Sequence, residues 1–138
     1  LSNNRVSLKD ERTFTIDPDD AKDFDDAVSI KSHSDGYELS VHISDVSYWI
    51  DKGSETDKEA LERGCTVYLP DRVINMFPPE IVGNVMSLIR GVEKPTMTVK
   101  MWLSKEGLLK RYEIFESIIV NKNRMTYKEA QKIIENGE

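Results

Sequence analysis

Residues 27–43 read AVSIKSHSDGYELSVHI, from Ala27 to Ile43. Two runs, Ala27 to Ser32 and Tyr37 to Ile43, flank the turn-forming Ser34-Asp35-Gly36. In the second run Tyr37, Leu39, Val41 and Ile43 alternate with Glu38, Ser40 and His42. A period of two is the mark of a strand with one buried face, and Asp-Gly between two such runs closes a hairpin. The apolar set Tyr37, Leu39, Val41 and Ile43 is expected to be the buried one.

Downstream, the pattern repeats. Met97, Val99, Met101 and Leu103 alternate with Thr98, Lys100 and Trp102, and Ser104-Lys105-Glu106-Gly107 turns the chain into Leu108 to Ile119, a second hairpin. Between the hairpins, Ser54 can cap a short helix over Glu55 to Arg63 that stops at Gly64. Thr66 to Leu69, ahead of Pro70, reads as a short strand, and Phe77-Pro78-Pro79 feeds a helix that begins at Glu80-Ile81-Val82. Thr126 can cap a final helix in which Tyr127, Ala130, Ile133 and Ile134 share a face, with Glu129 at the capping-box position. The fold class is therefore α+β, mostly antiparallel hairpins with a few short helices. There is no internal repeat, low-complexity tract or linker.

Upstream, Arg12-Thr13-Phe14-Thr15-Ile16 is a short β-branched and aromatic run that stops at Asp17-Pro18, where proline ends a ladder. A strand is expected to deliver Asp17 at its end. The segment that follows, Asp17 to Asp26, reads DPDDAKDFDD, six aspartates in ten residues with neither helical nor alternating period, hence a loop.

The 138 residues, 38% hydrophobic and 32% charged, suit one domain or a piece of one. The net charge of −6 is unevenly spread: residues 1–60 hold 15 acidic against 7 basic side chains, and residues 61–138 hold 10 against 12. The acidity is thus concentrated around one loop, and crowded carboxylates repel one another unless cations sit among them. The lone Cys65 forms no internal disulfide and fits a reducing cytoplasm, as a small core residue. No stretch approaches the roughly 18 apolar residues of a membrane span, and Leu1 to Arg5 lacks a signal-peptide pattern, so a soluble, cytoplasmic protein is expected.

Asp17, Asp23, Asp25 and Asp26 stand at a strand end and on the following turn, where they are expected to converge. Oxygen-only donors of this kind suit hard cations such as Mg²⁺ or Mn²⁺, and four carboxylates suffice for a pair of ions. The plain alternative is a solvated acidic turn, since Asp favours turns for local reasons. Phe24, between Asp23 and Asp25, argues for a turn pinned into a core. A calcium loop of EF-hand type does not fit, with Lys22 where Gly is needed and Val28 where Glu is needed. A phosphatase of the haloacid dehalogenase type shares the strand followed by Asp17-Pro18-Asp19, but Asp20 and Ala21 depart from its pattern.

The string Thr15-Ile16-Asp17-Pro18-Asp19-Asp20-Ala21-Lys22-Asp23-Phe24-Asp25-Asp26-Ala27-Val28 closely resembles the signature of the RNB catalytic domain of the ribonuclease II and ribonuclease R family. Further matches follow in the family's order: Val41 to Ser47, Arg63 to Pro70, Met76-Phe77-Pro78 and Met86-Ser87-Leu88. Ile89-Arg90 departs from the Asn-Pro that many members carry after Ser-Leu.

The resemblance implies that residues 1–138 are the N-terminal portion of an RNB domain, with the rest of that domain and flanking cold-shock and S1 domains outside them. It implies a hydrolytic, processive 3′-to-5′ exoribonuclease that releases nucleoside 5′-monophosphates from the 3′ end of single-stranded RNA with Mg²⁺. It carries metal and catalytic roles onto Asp17, Asp23, Asp25 and Asp26, and a base-stacking role onto Tyr68, which otherwise reads as an ordinary strand aromatic. His42 and Asp45 are expected to be hydrogen-bonding structural residues. No membrane and no obligate protein partner is implied. The segment alone is expected to bind metal weakly and cleave poorly, since groups that neutralise the transition-state phosphate would lie elsewhere. A catalytically idle RNA-binding module is the rival reading, against which the four aspartates speak.

Overall fold

The computed structural model describes residues 4–137. Its centre is a barrel-like sheet built from β2 (Thr13–Asp17), β3 (Asp26–His33), β4 (Gly36–Ser44), β7 (Glu93–Ser104) and β8 (Leu109–Thr126). Neighbours run β8-β2-β3-β4-β7, and β7 pairs again with β8, which closes the ring; β1 (Val6–Ser7) adds to β8. The two expected hairpins, β3–β4 and β7–β8, are antiparallel. The pairings of β8 with β1 and β2 are parallel. Both parallel contacts join residues more than a hundred positions apart, which local patterning does not reveal.

The β3–β4 turn is tight. His33 pairs with Gly36, and a Cβ on Gly36 would overlap the Leu103 carbonyl oxygen of the neighbouring β7. Only glycine lets the two backbones approach this closely.

Helix α1 (Glu55–Arg63) begins at Ser54, whose side chain accepts from the Asp57 amide, and ends at Gly64 with φ 74°. Helix α2 (Tyr127–Asn136) carries the full Thr126/Glu129 capping box. The apolar side of α2 is open, with Tyr127 61% and Ile134 76% exposed. Beyond Pro79 the expected helix is a six-residue π-helix, Ile81–Met86, and the strand around Tyr68 shrinks to β5 (Val67–Tyr68), paired with β6 (Val73–Ile74).

The burial expected for β4 is overturned. The apolar face of β4 is not the buried one: Tyr37 and Ile43 are 38% and 45% exposed, whereas Gly36, Ser40, His42 and Ser44 are buried. β7 repeats this, with Thr96 and Thr98 buried and Met97 and Val99 only partly so. The cause is a hydroxyl network inside the barrel. Ser29 Oγ and His42 Nε2 lie 3.1 Å apart, His42 Nδ1 and Thr98 Oγ1 2.8 Å, and Ser117 Oγ stands 2.6 Å from both Thr96 Oγ1 and Thr98 Oγ1. Buried polar groups that satisfy one another carry little of the penalty that unpaired ones would. The outer face is correspondingly apolar: cross-strand register aligns Ile30, Leu39, Met101 and Tyr112 in one row, and Val28, Val41, Val99 and Ile114 in the next.

The apolar core is small, formed by Leu8, Ala27, Leu88 and Ile119 with Phe24 and Phe115 packed against it. Phe24 belongs to the acidic loop, so the loop is anchored in the core as its sequence suggests.

Candidate functional site

β2 ends at Asp17, paired in parallel with Thr126 of β8, and Pro18 stops the ladder there. The loop then turns on the bond from the Ala21 amide to the Pro18 carbonyl, 3.2 Å. Its far end is held by Phe24, whose amide donates to Ser87 Oγ at 2.9 Å and whose carbonyl accepts from the Leu88 amide at 2.8 Å. Ser87 Oγ also donates to the Lys22 carbonyl at 3.2 Å. The Ser44 amide donates to the Asp25 carbonyl at 2.9 Å, and Asp26 opens β3 opposite Ile43. Arg124, on β8, clamps the near end: Nη2 donates to the carbonyls of Pro18 (2.7 Å) and Asp19 (2.9 Å). Its guanidinium carbon sits 5.6 Å from the Phe24 ring centroid.

Backbone fixed at both ends turns the aspartates into one cleft of about 690 Å³. Asp17, Asp20, Asp23, Asp25 and Asp26 line it together with Tyr68 and the π-helix residues Val82 and Gly83. The buried Lys94 ammonium steadies the π-helix by donating to the Asn84 (2.6 Å) and Val85 (2.8 Å) carbonyls. The Tyr68 hydroxyl donates to Asp23 Oδ2 at 3.1 Å, while the residue remains 66% exposed.

The electrostatics follow from crowding. Asp17 is raised above the ordinary carboxylate range, chiefly by burial and further by the charges of Asp26 and Asp23, against which the Thr15 side chain and the Arg124 charge work. Asp25 keeps contact with solvent but is also raised, first by the protein atoms that displace water around it and then by Asp23, Asp26 and Asp17. Burial and the neighbouring Asp23 likewise push the Tyr68 phenol up, so it stays a hydrogen-bond donor at neutral pH.

By donor chemistry the site fits a hard divalent cation. Its donors are carboxylate oxygens that repel one another, and Asp17 Oδ2 is buried with no hydrogen-bond partner, an arrangement that a cation would relieve. The side chains share the cleft without meeting at a point: among the described residues no three Asp, Glu, His or Cys stand in a metal-holding arrangement, and Asp23 is engaged with Tyr68.

The structure gathers every aspartate singled out in the sequence, together with Tyr68, and adds Asp20, Arg124 and Ser87. Of these, Ser87 lies in a motif that carries the family resemblance, whereas nothing local marks Arg124. His42 lies in the barrel network, fully buried and pushed down to about 4 by burial, away from the cleft. Asp45 accepts from the buried Arg5 guanidinium at 2.5 Å and from Ser47 at 2.6 Å. Both are structural, as expected. Cys65 is exposed rather than part of the core.

Comparison with known proteins matches residues 5–138 to the RNB domain family. Ribonuclease R of Aquifex aeolicus (strain VF5) is 47% identical over 131 residues, 94% of this chain and 19% of the relative. The chain thus spans about a fifth of the length of the curated relatives it matches. Among solved structures, Mycoplasma genitalium RNase R in complex with ribose methylated single-stranded RNA superposes with a TM-score of 0.93 at 28% identity, over 99% of this chain and 21% of that one. Yeast Ssd1, described as a pseudonuclease, shares the fold with a TM-score of 0.86 at 24% identity, over 98% of this chain and 17% of that one. No helix among the described residues is long and apolar enough to cross a membrane.

Proposed function

The chain belongs to the RNB domain family, and from that premise we propose that it supplies the acidic catalytic cleft of a longer 3′-to-5′ exoribonuclease. The observation that carries this reading is the gathering of Asp17, Asp23, Asp25, Asp26 and Tyr68 in one cleft. Residues 1–138 are the N-terminal portion of the RNB domain, and the remaining domain and the cold-shock and S1 modules belong to other parts of the polypeptide.

The substrate is the 3′ end of single-stranded RNA, shortened processively to nucleoside 5′-monophosphates in the cytoplasm, without a membrane or an obligate protein partner. Asp17, Asp23, Asp25 and Asp26 would hold Mg²⁺, with Mn²⁺ as a substitute. When bound, a pair of such ions supplies a hydroxide nucleophile and polarises the scissile phosphate. The chain's own residues do the rest of the work in this cleft. Arg124 and Ser87 fix the loop backbone so that the carboxylates are positioned before substrate arrives. Tyr68 offers an exposed ring on which a base of any identity can stack, a contact of about 1–3 kcal/mol. Its hydroxyl holds Asp23 in orientation. The net charge of −6 agrees with a segment that contributes metal ligands, while the basic surface that gives salt-dependent RNA affinity comes from elsewhere.

The test is a gel assay of 5′-labelled single-stranded RNA with Mg²⁺, using the longer protein. A ladder that shortens from the 3′ end and releases mononucleotides is expected. Binding without shortening would mark an idle module, and release of inorganic phosphate from small esters with RNA untouched would mark a phosphatase.

A further inference from the structure

Lys94 is the second residue of β7, on the same side of the strand as the buried Thr96 and Thr98, and is itself only 5% exposed. Burying an ammonium is costly unless its donors are used. Here they go to backbone carbonyls, those of Asn84 at 2.6 Å and Val85 at 2.8 Å. Burial pushes the ammonium down from its ordinary range. With Met86, these residues end the π-helix, where carbonyls lack partners within the helix and its dipole is negative. The Met86 carbonyl accepts from Ser44 Oγ at 2.6 Å, so side chains of β4 and β7 hold all three.

The residues that follow the helix anchor the acidic loop. Ser87 Oγ accepts from the Phe24 amide and donates to the Lys22 carbonyl, and the Leu88 amide donates to the Phe24 carbonyl. Ser44 holds Met86 through its hydroxyl and the Asp25 carbonyl through its amide. Two serines thus join the end of the π-helix to residues 22–25, while the helix itself brings Val82 and Gly83 into the cleft. Single π-helical turns are frequent at functional sites.

We propose that Lys94 is a positioning residue for the proposed hydrolysis: by pinning the end of the π-helix to β7 it fixes, through Ser87, the backbone that carries Asp23 and Asp25. The ammonium touches no substrate. It acts across two hydrogen-bonded steps, from Lys94 to the helix end and from Ser87 to the loop, and a contiguous chain of bonds can carry such coupling. Displacing a group in an active site by about 1 Å can lower turnover by about 100-fold. The effect on turnover rests on the exonuclease reading, and the effect on the loop backbone does not.

The test compares the longer protein with its Lys94→Met variant, well below the temperature at which either unfolds. Lys94→Gln, which keeps a donor and loses the charge, takes its place if Lys94→Met does not fold. Amide exchange in the metal-free protein is read at Phe24, with the amides of β4 as the internal reference. Exchange at Phe24 is expected to quicken by about tenfold or more while β4 keeps the parental rate. On single-stranded RNA, kcat for shortening is expected to fall by about tenfold or more with KM within about twofold, a split that lower stability alone does not produce. Parental exchange at Phe24 in the folded variant overturns the proposal. So does parental kcat, since Lys94 would then only cap a helix. If the parent itself leaves RNA unshortened, the exonuclease reading fails and exchange at Phe24 alone decides whether Lys94 sets the loop.

Discussion

Arg124 and Pro18, 106 positions apart in sequence, are joined by a 2.7 Å hydrogen bond from the guanidinium to the proline carbonyl. The same Nη2 reaches the Asp19 carbonyl at 2.9 Å, and the cation lies above Phe24. One side chain therefore holds the first turn of the acidic loop and touches the aromatic that anchors its end.

Arg124→Gln is expected to loosen residues 18–24 and to weaken the cleft's hold on metal. Loss of charge-assisted bonds of about 1.5–3 kcal/mol corresponds to roughly a 10- to 150-fold rise in the Mg²⁺ concentration that half-saturates cleavage. Hydrogen exchange of the loop amides in the metal-free protein checks the structural half independently of activity. Arg124→Lys, which keeps a charge near Asp17 but loses the planar fork, should fall between the two. Unchanged exchange and unchanged Mg²⁺ dependence in Arg124→Gln would remove the clamp from the account.

Tyr68 has two separable contributions. Tyr68→Phe keeps the ring and loses the bond to Asp23, so it should bind RNA nearly as well as the parent. Tyr68→Ala should weaken RNA binding by about 1–3 kcal/mol, a 5- to 150-fold change in Kd. Fluorescence anisotropy in an Asp25→Asn background measures this without turnover. Equal affinity for Phe and Ala variants would rule out stacking.

His42 is neutral inside the barrel, pushed down to about 4 by burial among Ser29, Thr98 and their neighbours. In the unfolded chain it takes up a proton near pH 6.5. The unfolded state therefore binds more protons between those values, and stability contributed by His42 is complete above about pH 6.5 and falls as pH drops toward 4, by up to about 3 kcal/mol. Asp17 and Asp25 act in the opposite direction. Raised in the folded state, they favour it as they take up protons on acidification. Side-chain NMR separates the two effects, since the His42 ring should show no titration between pH 7.5 and 5.5. A midpoint near 6.5 would contradict the buried hydrogen-bonded imidazole.

Much of the local structure was legible because its causes are local. Ser54, Gly64, Thr126 and Glu129 cap helices through bonds that span a few residues, and Pro18 ends β2 by its own chemistry. The acidic loop was legible for the same reason, as its six aspartates lie within ten residues. The inside of the barrel was not. Alternation shows that β4 has two unlike faces, but which one points inward depends on Ser29, Thr98 and Ser117, partners from other strands that make the hydroxyl face the buried one. Arg124 escaped notice because its partners are more than a hundred residues away, and a lone arginine near a strand end carries no period or spacing.

In the proposed function, phosphodiester hydrolysis takes place in the cleft around Asp25. Its most direct measurement compares the longer protein with its Asp25→Asn variant on 5′-labelled single-stranded RNA in Mg²⁺, with RNA affinity and thermal unfolding recorded for both. Folding is expected to be unchanged, RNA binding retained and shortening from the 3′ end reduced by at least about 100-fold, as when a charged group acting on the transition state is removed. Shortening at the parental rate by a folded Asp25→Asn protein would contradict it.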